Sequence, residues 1–287
     1  MFNKYFFLVF FMELSIDTLK KIALRVYKEV HPLIGVKKAA QKSKLGAGGD
    51  MTMYIDTVAE NIIIESLKRL NTDILLISEE IGEKYIGDRD KANKNKKMLI
   101  VDPLDGSNNA VRGIPYSSVS LAYAEGTHMK DIIKAVVIDL NTKDIYWAVK
   151  GEGAFLNNNK ISVSEFDITQ KCFFELNLPM KNLFKYIKEL SPLIKRFYRV
   201  RILGSSALTL CHIAKGSMEA FINLRRSNRL VDVAAGYLIL KEAGGKLLSL
   251  NGINIDRELS INTKFPFMAC NAKLEPILKE MLTSERI

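Results

Sequence analysis

The sequence predicts a layered α/β (α+β) fold. Three observations carry it: apolar stretches between Ser117 and Val149 separated by short polar connectors, a second half in which strand-like and helix-like segments alternate, and the apolar run Met98-Leu99-Ile100-Val101 ending in a turn-rich heptapeptide. With 287 residues, 48% of them hydrophobic, the chain can bury the core of one large domain or of two joined subdomains.

The elements read in order as follows. Tyr5 to Phe11 is an apolar run too short to span a bilayer, and no small-residue cleavage site follows it. Residues 1–11 therefore read as an extension, with a weak membrane anchor as the alternative, ahead of a single domain at 12–287 with subdomains meeting near 160/161. Leu19, Ile22, Ala23, Val26 and Val30 recur at helical spacing, with Ser15 as candidate cap and His31-Pro32 as the stop. Residues 36–50, rich in Lys and Gly, read as a loop or lid beside the site, and their glycines lack dinucleotide-binding spacing. A helix over 51–70, a buried strand over 74–77 and a charged loop over 82–97 precede the central strand. The stretches 119–124, 132–139 and 145–149 predict an antiparallel meander. Thereafter strands at 171–177, 197–202 and 218–223 alternate with helices at 181–190, 206–215 and 232–243.

Charge and cysteine usage exclude several function classes. Forty-two Lys and Arg against 32 Asp and Glu give a net charge of +10, which suits anionic partners but is dispersed along the chain. The densest basic run, Lys91 to Lys97, has no interleaved aromatics for base stacking, so no nucleic-acid partner is expected. Cys172, Cys211 and Cys270 form neither a CxxC pair nor an even framework, and His31, His128 and His212 are equally scattered. A zinc site and a Cys-His nucleophile are thus unsupported, a reducing cytoplasm fits, and no membrane partner is expected.

The chemistry concentrates at Asp102-Pro103-Leu104-Asp105-Gly106-Ser107-Asn108. Two carboxylates three residues apart stand where a buried strand ends. Pro103 keeps Asp102 extended, Gly106 permits close backbone approach to an anion, and Ser107 and Asn108 suit the cap of a following helix whose amides would face a phosphate. Hard oxygen ligands without nearby Cys or His favour magnesium, or manganese, over zinc.

This heptapeptide resembles the signature of the lithium-sensitive, magnesium-dependent phosphatases, the inositol monophosphatase and fructose-1,6-bisphosphatase superfamily. Three further segments match in chain order: Gly49-Asp50-Met51-Thr52 with Asp56, Glu79-Glu80 at a strand end, and Val231-Asp232-Val233-Ala234-Ala235-Gly236 ahead of Glu242-Ala243-Gly244-Gly245. Val231 stands where many members carry Trp, as in archaeal-type members. The resemblance implies an α-β-α-β-α sandwich, antiparallel in the first sheet and mixed in the second, and commonly a homodimer.

It also implies the site. Glu79, Asp102, Asp105, Asp232 and the Leu104 carbonyl would bind two magnesium ions, Glu79 and Asp102 sharing the first and Asp105 and Asp232 holding the second, with Asp50 and Asp56 as the shell of a third. Ser107 would act with Glu79 on the attacking water while the Gly106 and Ser107 amides hold the phosphate. Glu80 is expected to point away. Ser205 and Ser206, where the family contacts its substrate, would bond sugar hydroxyls or simply cap their helix. Arg225 stands where inositol-specific members place an acid, and a guanidinium suits a second phosphate. Arg226 competes with it, because neighbours on a strand face opposite ways. The expected activity is hydrolysis of phosphate monoesters, fructose 1,6-bisphosphate and inositol 1-phosphate. A 3'-phosphoadenosine nucleotide phosphatase, which would show an aromatic base-stacking site, and a basic RNA-associated regulatory protein are the competing readings.

Overall fold

The computed structural model describes residues 14–47 and 51–284, so the 1–11 extension and Asp50 lie outside the described residues. Helix α1 (Ile16–Val30) begins where expected, since Ser15 Oγ accepts from the Thr18 amide at 3.2 Å, and His31 and Pro32 close it in a 3-10 turn. A short antiparallel hairpin follows, β1 (Lys42–Leu45) with β2 (Met51–Met53), ahead of α2 (Tyr54–Arg69). The helix read over 51–70 thus starts three residues later. Asp56 Oδ2 accepts from the Met53 amide at 2.8 Å and sets that start.

Strand β3 (Ile74–Ser78) continues into β4 (Gly82–Ile86), and α3 (Arg89–Asn95), capped by Asp88, leads to β5 (Lys97–Asp105). The charged segment 82–97 is therefore ordered and not a loop. Its strand buries only its two ends, Gly82 and Ile86, too few to leave a periodic signal. After the one-and-a-half-turn α4 (Ser107–Arg112), the meander runs β6 (Ser118–Glu125), β7 (Ile132–Asp139), β8 (Ile145–Val149), β9 (Gly153–Leu156) and β10 (Asn159–Ile161). Together these make an eight-stranded sheet ordered β10-β9-β8-β7-β6-β5-β3-β4, antiparallel except for the pair β3/β5.

The second half alternates as predicted: β11 (Phe173–Asn177), α5 (Leu183–Ile194), β12 (Arg199–Arg201), α6 (Ser206–Ala214), β13 (Ala220–Asn223), α7 (Ala234–Glu242). Three elements follow that the sequence reading did not place, β14 (Lys246–Leu248), β15 (Phe267–Cys270) and α8 (Glu275–Ser284). Their sheet, ordered β12-β11-β13-β15-β14, is mixed, with β11 parallel to both neighbours and β15 antiparallel to both of its own.

Five layers result because each sheet is apolar on both faces. In β3 and β5, Ile74, Leu76, Leu99 and Val101 pack under α1 and α2, whereas Leu75, Ile77 and Ile100 face α6 and α7. Helices α6 and α7 lie between the sheets, touching Ala135 and Val137 on one side and Phe221 and Phe267 on the other. They approach closely at Gly236, where an added Cβ would fall 2.7 Å from Leu210 Cδ1. Leu190, Leu193 and Leu278 of α5 and α8 cover the far face of the second sheet. The order α-β-α-β-α is the layered sandwich expected.

Candidate active site

Parallel pairing of β3 with β5 sets Ser78 beside Val101, so Glu79, just past the end of β3, comes next to Asp102 within β5. The β5/β6 register then shifts between Asp102 and Asp105, and Pro103 sits in that bulge, where a proline's missing amide is tolerated. Gly106 turns the chain at φ +89 into α4, and a Cβ there would come within 2.8 Å of the Tyr116 carbonyl. Gly106 is thus the cap position itself. Ser107, expected as a cap, is the first helical residue, and its hydroxyl donates to Asp56 Oδ1 at 2.7 Å and to the Leu104 carbonyl at 2.8 Å.

These groups line a cleft of about 670 Å3, a size typical of small-ligand sites. Glu79, Asp102 and Asp232 each offer an oxygen, all within 4.8 Å of one another, and Asp105, Asp56, Leu104, Gly106, Ser107, Ser206 and Arg225 line the same cleft. Asp102 Oδ1 accepts from the Leu104 amide at 3.0 Å, which orients its carboxylate. Arg229 reaches into the cluster. Its guanidinium donates to Glu79 Oε1 and lies 3.1 Å from Asp232 Oδ1.

Burial and neighbouring negative charge raise four of these acids, Glu79, Asp102, Asp105 and Asp56. Desolvation, with the Asp232 and Glu80 charges, pushes Glu79 up to about 8 against the pull of Arg229. Burial and then the Glu79, Asp105 and Asp232 charges hold Asp102 well above the carboxylate range. Asp105 rises to about 7 through burial and Asp232, offset by hydrogen bonds from Ser205 and the Ala207 amide. Asp56 rises to about 6, mostly by burial. Carboxylates packed this way want positive charge, and an all-oxygen donor set of this kind fits magnesium or manganese.

A profile of the inositol monophosphatase family matches residues 11–285. The chain belongs to the inositol monophosphatase family. Its relatives within and around that family include a fructose-1,6-bisphosphatase/inositol-1-monophosphatase of Methanothermobacter thermautotrophicus, 36% identical across 93% of this chain and 95% of that protein. A bifunctional NADP phosphatase/NAD kinase of Methanococcus maripaludis is 38% identical across 88% of this chain, which spans only 46% of that longer protein. Among solved structures, an inositol monophosphatase–fructose 1,6-bisphosphatase superposes with a TM-score of 0.81 at 29% identity, covering 94% of this chain and all of its own.

Several site expectations need correction in this family framework. Ser205 is 1% exposed and lies outside the cleft; its hydroxyl donates to Asp105 Oδ2 at 2.6 Å and caps α6, so only Ser206 of that pair reaches the cavity. Asp232 groups with Glu79 and Asp102, and Asp105 lines the same cleft with its Oδ2 held by the Ser205 hydroxyl and the Ala207 amide. Glu80 does not point away: it lines the cleft and accepts from the Thr52 hydroxyl. Arg225 and Arg226 follow β13 in a turn, so strand alternation does not apply, and Arg225 is the one lining the cleft. Arg229, Lys42, Lys264, Asn177 and Asn228 also line it and were missed. Arg229 alone carried a signal, a cation three residues before a candidate ligand.

Proposed function

We propose that the chain is a magnesium-dependent phosphomonoesterase acting on sugar and inositol phosphates, fructose 1,6-bisphosphate and inositol 1-phosphate. The observation that carries this is the convergence of Glu79, Asp102 and Asp232, from three separate segments of the chain, within 4.8 Å, with Asp105 and Ser107 in the same cleft. The names of the relatives support the substrate class. Magnesium, with manganese as substitute and two or three ions per site, would be held by Glu79, Asp102, Asp105, Asp232 and the Leu104 carbonyl, and would supply the charge that neutralises phosphoryl and leaving oxygens and the acidity that makes water a nucleophile.

The chain's own residues do the rest. The Leu104 amide and the bulge hold Asp102 in place, and the Asp105 carboxylate is anchored on α6. Ser107 Oγ already donates toward Asp56 Oδ1, so its lone pair can take a proton from a water as its own passes to Asp56, an acid whose pKa lies near 6. Glu79, which lines the same cleft, would act with Ser107 by orienting that water. Arg225 at the cleft is the candidate contact for a second phosphate.

We place the enzyme in the cytoplasm as a homodimer of single phosphatase domains built from subdomains at about 12–160 and 161–287, its partner a small phosphate monoester. Among the described residues no helix is long and apolar enough to cross a membrane. A nucleotide phosphatase is the second reading, favoured by the NADP phosphatase relatives. The 3'-phosphoadenosine form of it lacks the stacking site it needs, since no aromatic ring lines the cleft among the described residues. Phosphate release from fructose 1,6-bisphosphate, inositol 1-phosphate, NADP and 3'-phosphoadenosine 5'-phosphate, each with and without magnesium, decides between them. The proposal expects magnesium-dependent release from the first two; release from the nucleotides alone would replace it.

A further inference from the structure

Arg229 occupies the same oxygens that a divalent cation needs. Its guanidinium donates to Glu79 Oε1, its Nε lies 3.2 Å from Asp232 Oδ1, and its own backbone amide donates to Asp232 Oδ2 at 3.2 Å. The side chain is 17% exposed and the two acids 14% and 12%, so the three charges share a poorly solvated corner of the cleft. A guanidinium matches this arrangement because its planar fork can serve two carboxylates at once. A divalent ion bound to Glu79, Asp102 and Asp232 would sit beside that fork, and two cations in a weakly screening pocket repel strongly.

We propose that Arg229 is an internal counter-cation that holds the ligand carboxylates until a divalent cation displaces it, so that metal loading is an exchange of one cation for another. This rests on the metal-dependent reading above. The exchange is feasible without refolding, because the backbone of Arg229 is held apart from its side chain by an isolated bridge to Lys264. Only the side chain has to turn. Once displaced, the guanidinium still borders the cleft shared with Ser227, Asn228 and Lys264, where its natural partner is an anion such as a phosphoryl oxygen.

The test is calorimetric titration of the chelator-treated protein with Mn2+, comparing wild type, Arg229→Gln and Arg225→Gln, with melting curves of the metal-free forms and phosphate release measured in parallel. Arg229→Gln should bind Mn2+ about tenfold more tightly, while its metal-free form melts several degrees lower, because removing the internal cation leaves buried carboxylates uncompensated. A merely structural arginine would weaken metal binding on loss, not strengthen it. Unchanged or weaker binding by Arg229→Gln overturns the proposal, and so does equal tightening in Arg225→Gln, which would mean diffuse charge repulsion. If Arg229→Gln fails to fold, Arg229→Lys, which keeps the charge but loses the fork, must bind Mn2+ more tightly than wild type or the proposal falls. Tightened binding without hydrolysis by wild type would sink the phosphatase reading alone; hydrolysis without tightening would sink the exchange alone.

Discussion

Asp105 accepts hydrogen bonds from Ser205 Oγ at 2.6 Å and from the Ala207 amide at 2.7 Å, so a carboxylate at the end of a strand in the first sheet sits on the first turn of α6. An acid at a helix start is favoured by the exposed amides and the helix dipole. The contact therefore stabilises both partners: it sets the Asp105 side chain and it fixes where α6 begins.

Ser205→Ala should cost about 1.5 to 3 kcal/mol of stability, the range for a hydrogen bond to a charged group, and lower turnover although Ser205 is not among the residues lining the cleft. Melting temperature and steady-state rates check this together. A loss of substrate affinity with unchanged stability would return Ser205 to the role of substrate contact.

Asp102→Asn and Asp232→Asn each remove one charge from the ligand set. Turnover should fall by about a thousandfold or more, equivalent to roughly 4 kcal/mol of transition-state stabilisation. Circular dichroism should report an intact fold in both, and added magnesium should raise their melting temperature less than that of wild type.

Arg225→Ala should lower kcat/KM for fructose 1,6-bisphosphate about tenfold and leave inositol 1-phosphate, which has no second phosphate, nearly unaffected. Equal losses on both substrates would remove the distal-phosphate role.

His212 packs against the rings of Tyr116 and Tyr146, and burial, helped by Lys215, lowers it to about 4. Its unfolded pKa is near 6.5, so the unfolded chain binds the proton more readily. The stability it contributes is complete above pH 6.5 and is lost as pH falls toward 4, at most about 3 kcal/mol. Glu79 and Asp105, raised to about 8 and 7, act with the opposite sign in the metal-free protein, gaining stability as pH falls. The difference in melting temperature between wild type and His212→Phe isolates the histidine: it should change between pH 6.5 and 4 and be flat above.

Much of the layered fold was legible because it rests on local signals. Ser15 marks a helix start, the meander writes its connectors in polar residues, and Asp102 to Asn108 combines a strand end, a bulge proline and a glycine that no other residue could replace at φ +89. What escaped depends on partners distant in sequence. Whether Glu80 faces the cleft is decided by the Thr52 hydroxyl, and whether Ser205 meets substrate is decided by Asp105, a hundred residues earlier. Strand β4 shows no alternation because one edge of the sheet needs few apolar residues, so its sequence reads as charged loop.

The pairing of Arg229 with Glu79 closes a gap of 150 residues between the two halves of the chain. A cleft made at that seam can exist only when both sheets and the helices between them are in place, so the ion that binds there recognises the finished molecule and no fragment of it. Cation uptake then doubles as a readout of completed folding, and any lesion that loosens one half against the other should be felt first as a failure to hold metal.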